Sequence, residues 1–425
     1  MLTTPQIVTL VVFTAAYFGF VLRYHWKLPI VLGACAVLLL WPGVMGPRAA
    51  FAAINWNVIL LYAGMLLLTE TLVISGAPGV IAERLFRKGA SARVVVVLTC
   101  LVSGLISAAV ENVAVVLIMA PIALAAARRL EVSPVPILIG IAVSSNLQGA
   151  ATLIGDPPSM LMAGALGMNF NDFFWYLGRP GVFFAVELGA VAATLVLWWI
   201  FRGLRGEWPA SRMHRLKSAV PIVLLLVLVV ALASSSVLFP DWALSTGVIA
   251  VVAGLAAAVW WISAHGPKRF LKQAWELDWG TGFFIVGVFV LVGSLVETGL
   301  VDRFTDLLAR GGHGTLAVYS LLVWGSVAGS AVIDNVPYVA AMLPVCAGLA
   351  QRLGLAPELL AFGMVIGASV GGNITPVGAS ANIVACGIAK REGCRVSFGQ
   401  FARIGLPFTL AGVAAAYAFL WVFWR

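Results

Sequence analysis

The chain has 425 residues, of which 62% are hydrophobic and only 10% charged, and its mean hydropathy is +1.04. Soluble domains run at about 45–50% apolar and about 25% charged, so this composition excludes a cytosolic enzyme, a secreted disulfide scaffold and a nucleic-acid module. The net charge of +9 is spread through short loops, where basic residues act as orientation signals rather than as a nucleic-acid surface.

A membrane span needs about 20 apolar residues. Hydropathy places spans near 6–22, 28–45, 57–75, 135–165, 181–201, 218–238, 244–264, 280–299, 357–389 and 402–424. The N-terminus lacks the basic stretch of a cleaved signal, so 6–22 is expected as a retained span. Stretch 79–93 reads as a basic amphipathic interfacial helix, with a more mixed counterpart near 301–314. Two further apolar stretches, 94–127 and 316–349, are too long for one span and carry an acid–Asn pair at their centres. Both are expected as re-entrant hairpins, tolerated only where they are buried in protein or line a water-filled cavity.

With the N-terminus outside and each hairpin returning to its side of entry, Lys and Arg divide 20 inside to 6 outside. That excess supports this orientation, and both termini are expected on the extracytoplasmic side of a bacterial inner membrane.

The sequence also repeats. Trp56 and Trp279 open corresponding spans 223 positions apart. At the same offset Gly64 meets Gly287, Gly76 meets Gly299, and Glu111-Asn112-Val113 meets Asp334-Asn335-Val336. Met119 and Pro121 meet Met342 and Pro344, while Gly149, Thr152 and Gly155 meet Gly372, Thr375 and Gly378. Five crossings per half is an odd number, so the halves are inverted. The expected fold is an all-α polytopic membrane protein. Residues 1–201 form one repeat (hairpin 94–127, broken helix 135–165), 202–217 a cytoplasmic linker, and 218–425 the second repeat (hairpin 316–349, broken helix 357–389).

Each half carries the same two devices: a hairpin tip, AAVENVAVVLIMAP or AVIDNVPYVAAMLP, and an interrupted span, SSNLQGAATLIGDPPSM or ASVGGNITPVGASAN. Gly-rich stretches and Pro157-Pro158 cannot continue as regular helix, and broken helices at mid-depth hold ions or substrate on unwound carbonyls and half-helix ends. Glu111 and Asp334, at equivalent tips, are the candidates for proton coupling, because an intramembrane carboxylate is functional by default. Asp156 is a third, either capping the second half-helix or coupling. Asn112 and Asn335 at the tips, with Asn146, Thr152, Ser159, Asn373, Thr375, Ser380 and Asn382 near the breaks, describe a polar cavity for substrate or ion. Glu70, Glu187 and Glu297 have no acid at the equivalent position and read as interior or interfacial. The five cysteines show no CxxC pairing and read mainly as small buried hydrophobes. Cys346 and Cys386 are candidates for a weak metalloid contact. No structural metal and no cofactor is expected beyond a coupling ion, H+ or Na+.

The segments IDNVPYVAAMLPV, GASVGGNITPVGASANIVACGIAKREG with the following SFGQFARIGLPF, and ATLIGDPPSM resemble the ion transporter superfamily. The closest branch is ArsB/NhaD, which also includes the melanosomal P protein. The resemblance runs from about Trp56 to Pro407. It implies a scaffold domain and a transport domain, a homodimer and elevator-like motion. Dicarboxylate:sodium symporters of the superfamily carry Ser-Asn-Thr at each tip. Acids at Glu111 and Asp334 should repel such an anion in low dielectric, which makes sodium-coupled anion or dicarboxylate symport the third choice. Arsenite or antimonite export by H+ antiport, taking neutral trihydroxides on Asn112, Asn335, Asn373 and Thr375, is the favoured expectation, with Na+/H+ antiport as the alternative. With no histidine at depth, intramembrane catalysis is not expected. With no GxxxxGK[ST] loop, nucleotide-driven export would need a separate ATPase subunit.

Overall fold

The computed structural model describes residues 2–23, 26–77, 80, 89–208, 216–239, 242, 244–309 and 314–425. The centre of the amphipathic stretch 79–93, the middle of the 202–217 linker, and His25, His214 and His313 lie outside the described residues. Among the described residues, strand content is a single two-residue antiparallel ladder, Trp175–Tyr176 with Arg179–Pro180; everything else regular is helical, and ten helices are long and apolar enough to cross a membrane.

In the first half the helices are α1 (Thr4–Leu22), α2 (Lys27–Leu40), α3 (Pro47–Ala53), α4 (Trp56–Ser75), α5 (Ala92–Ser107), α6 (Asn112–Arg129), α7 (Pro134–Gly149), α8 (Pro157–Leu166) and α9 (Val182–Ile200). The second half has α10 (Val220–Leu238), α11 (Ser245–His265), α12 (Pro267–Glu276), α13 (Trp279–Glu297), α14 (Leu300–Ala309), α15 (Thr315–Ser330), α16 (Asn335–Leu353), α17 (Pro357–Gly371), α18 (Ser380–Arg391) and α19 (Phe398–Trp424). Stretches 94–127 and 316–349 each fold as two helices around a short tip, α5–α6 and α15–α16. Stretches 135–165 and 357–389 are each interrupted, between α7 and α8 and between α17 and α18. Hydropathy gives no sign of α3 or α12. Both are short, both start at a proline suited to the first helical turn, and α12 buries none of its residues.

Helices α1–α4 pack with α10–α13, and α5–α9 pack with α15–α19, with α14 lying on α16. Helices α4 and α11 pack extensively, with small residues letting their backbones approach. A Cβ on Gly64 would overlap the Ala250 carbonyl, and one on Gly254 would sit 2.7 Å from the Gly64 oxygen. At the start of this pair Asn57 donates to the Thr246 hydroxyl at 2.7 Å and accepts from the Gly247 amide at 2.7 Å. Gly64→Val is therefore expected to force the two helices apart at a cost of about 1–3 kcal/mol or more. A lowered thermal midpoint in detergent checks this; an unchanged midpoint would contradict the close packing.

Candidate functional site at the hairpin tips and helix breaks

Both tip acids cap the helix that follows them. The Glu111 Oε2 accepts from the Ala114 amide at 3.0 Å, and the Asp334 Oδ1 accepts from the Val336 amide at 3.2 Å. A carboxylate suits this place because the first turn of a helix presents unpaired N–H groups and a positive dipole end. One oxygen of each acid is thereby used.

The breaks are tied to the tips in the same way in both halves. The Thr152 hydroxyl donates to the Ala108 carbonyl and the Thr375 hydroxyl to the Ala331 carbonyl, an identical pair of contacts 223 residues apart. These two threonines, expected to face substrate, fasten tip to break with their hydroxyl protons. The loops close by glycine: a Cβ on Gly155 would overlap the Gly149 carbonyl, and one on Gly378 would lie 2.5 Å from the Gly372 carbonyl. Equivalent side chains then cover those carbonyls, Ser159 donating to Gly149 at 3.3 Å and Asn382 to Gly372 at 2.9 Å.

Between the halves runs a chain of buried amides. Asn112 Nδ2 donates to Asn146 Oδ1 at 2.9 Å, and Asn146 Nδ2 donates to Asn373 Oδ1 at 2.7 Å and Asn382 Oδ1 at 2.9 Å. Asn373 Nδ2 continues to the Val143 carbonyl at 3.0 Å, and Asn382 Nδ2 to the Thr375 carbonyl at 3.0 Å. The sequence marks these asparagines as polar, but not that they satisfy one another, as buried polar groups do. Asn335 is buried at its tip but lies outside this amide chain. Asn146→Ala removes the central member and strands groups on both halves, at about 1–3 kcal/mol for each buried polar group left unsatisfied. A fall in thermal midpoint larger than that of Gln148→Ala in the same assay is the expected result.

The charges divide unevenly between the halves. In the first, Asp156 is completely buried; its Oδ1 caps α8 through the Ser159 amide at 3.0 Å, while its Oδ2 has no hydrogen-bond partner among the described residues. Buried hydroxyls of Ser107 and Ser145 are likewise unpartnered, and the Ser107 backbone lies against Gly155 in the same break. Asp156 therefore both caps its helix and presents a bare oxygen. Glu111 opens into a cavity of about 280 Å³ shared with Tyr62 and Glu70 of α4, Gln273 and Glu276 of α12, and Asp278. Glu70 accepts from Gln273 at 3.1 Å, and Tyr62 donates to the Asp278 carbonyl at 3.0 Å. Four carboxylates line this cavity, and none of its described lining residues is basic. In the second half the position equivalent to Asp156 is Ala379. Asp334 Oδ2 accepts from the Ser380 hydroxyl at 3.3 Å and lies 4.0 Å from the Lys27 ammonium.

Of the remaining acids, Glu187 accepts from Gln148 at 3.2 Å and Glu297 is exposed. Cys346 is buried, its thiol 3.9 Å from the Leu360 carbonyl, and Cys386 is partly buried; neither joins the amide chain, and no group of three or more His, Cys, Asp or Glu side chains is placed to hold a metal ion among the described residues. Sequence reasoning missed Lys27, Tyr62, Glu276 and Asp278. Lys27 counted only as an orientation charge, and the two acids lay in a segment read as loop.

The profile of the CitMHS family, described as citrate transporters, matches residues 8–367. The chain belongs to this family. A protein named an uncharacterized transporter from Mycobacterium tuberculosis is 32% identical over 98% of both chains. The human P protein is 25% identical over 94% of this chain and 57% of its own. Among solved structures, the YdaH transporter of Alcanivorax borkumensis superposes with a TM-score of 0.61 at 18% identity, covering 95% of this chain and 97% of its own. MtrF of Neisseria gonorrhoeae, described as an antimetabolite efflux pump, gives 0.60 at 14% identity, covering 99% and 95%. At these identities the two structures speak for the fold. This CitMHS chain is a multi-pass membrane transporter.

Proposed function

We propose that this CitMHS member is a secondary carrier exchanging a monovalent cation for protons by alternating access, with Glu111 and Asp156 binding the two in turn. The observation that carries this reading is the acid-lined cavity that holds Glu111, with Asp156 and its bare oxygen buried in the break of the same half. A vestibule with four carboxylates and no basic residue among its described lining concentrates cations and repels anions, and an intramembrane acid is suited to exchanging them. The broken helices and paired tips supply two elements that can rearrange around one site.

The geometry favours sodium/proton exchange over arsenite efflux, because Asn112 and Asn373, two of the three amides that would take a neutral trihydroxide, are engaged in the amide chain through Asn146 and the thiols lie elsewhere. Citrate, the substrate in the family's description, would meet four carboxylates and would need cations bound alongside it. Everted vesicles energised by respiration test the reading. Adding sodium should release accumulated protons in wild type and not in Glu111→Gln. Proton-driven arsenite uptake, or citrate uptake, without any sodium response would replace it.

A further inference from the structure

We infer that Lys27 is a built-in cation at the second hairpin tip, holding with its own ammonium the place that an exchangeable cation takes at the first. The inference deepens the carrier reading and rests on it for the role of the first tip. The two tips match in their acid–Asn–Val sequence, in an acid that caps the following helix and in the threonine tie, yet their charges differ. At the first, Glu111 shares a cavity with Glu70, Glu276 and Asp278, and Asp156 lies buried in the break of the same half. The second has one acid, Asp334, with Ala379 where the other half has Asp156.

The charge that meets this second tip comes from outside its own hairpin. Lys27, the first residue of α2, brings Nζ to 4.0 Å from Asp334 Oδ2 and lies 5.1 Å from the centre of the Phe284 ring. Its side chain is 18% exposed and that of Asp334 6%, so water screens the pair weakly. The neighbouring contact has the same direction, Tyr17 of α1 donating to the Pro337 carbonyl at 2.6 Å. An ammonium on a flexible stem is a compact point charge, of the size and sign that the tip would otherwise draw from solution. Being covalently attached, it satisfies the acid without being transported.

Two consequences follow. Ion exchange is confined to the first half, and Lys27 sets the number of cations carried. Removing the ammonium should leave Asp334 open to a cation from solution.

The test follows thermal unfolding of the detergent-purified full chain as sodium chloride replaces choline chloride at fixed ionic strength. Lys27→Met should gain a sodium-dependent stabilisation beyond wild type, read as a larger midpoint shift, as ligand linkage to a second site requires. Lys27→Met/Asp334→Asn should lose that gain. A sodium response of Lys27→Met equal to that of wild type overturns the inference. Should Lys27→Met fail to fold, recovery of folded protein in the double variant supports charge compensation. An equally unfolded double variant assigns Lys27 to packing on Phe284 and overturns it. A wild type without any sodium response, beside a Lys27→Met that gains one, would remove the carrier's sodium coupling and leave the assignment of Lys27 standing.

Discussion

Glu111→Gln and Asp156→Asn should each cut sodium-elicited proton release in everted vesicles by roughly 10- to 100-fold, the equivalent of losing an interaction with a charged group worth about 1.5–3 kcal/mol. Both substitutions keep the shape of the side chain and an oxygen for the cap. The new amide oxygen would face the Ala114 amide in Glu111→Gln and the Ser159 amide in Asp156→Asn. Folding should therefore survive while the charge is lost. The bare Oδ2 of Asp156 makes a specific point here. A purely structural cap would tolerate Asn with little loss, whereas a cation ligand would not. Wild-type exchange by either folded variant would remove that residue from the coupling machinery.

The second large effect is expected at Gly405 of α19. A Cβ there would overlap the carbonyl of Asn373, and that carbonyl cannot easily retreat. The Asn373 side chain is held on both sides, accepting from Asn146 at 2.7 Å and donating to Val143 at 3.0 Å. Gly405→Ala should thus cost about 1–3 kcal/mol or more through overpacking and disturb the second break as well. A reduced thermal midpoint together with reduced transport is the expected outcome. Gly387→Ala on α18 is the control, because nothing lies within 4 Å of its Cβ position and alanine favours helix. Equal behaviour of the two variants would show that the α19 contact is looser than described.

Much of this architecture can be read in the chain because it is built from local signals. Pro157-Pro158 and the paired glycines mark both breaks, and the recurrence of Glu111-Asn112 as Asp334-Asn335 marks both tips. The structure adds what depends on distant segments meeting. Asn146 reaches Asn373 and Asn382 across more than two hundred residues, a contact with no periodicity to announce it. Lys27 meets Asp334 across the packing boundary between α2 and the second tip; in sequence it is one more basic residue at the end of a span. The two tips look equivalent when read along the chain, and only the surrounding side chains separate them. Thr152 and Thr375 show the opposite case, polar residues marked as ligand candidates whose hydroxyl protons go to the Ala108 and Ala331 carbonyls.

Equilibrium binding of radioactive sodium to the purified protein tests most directly whether the first-half tip holds the driving cation. One sodium per chain is expected, displaced by protons, absent from Asp156→Asn and retained in Asp334→Asn. Binding that survives in Asp156→Asn but disappears in Asp334→Asn would place the exchangeable cation at the second tip and contradict the account.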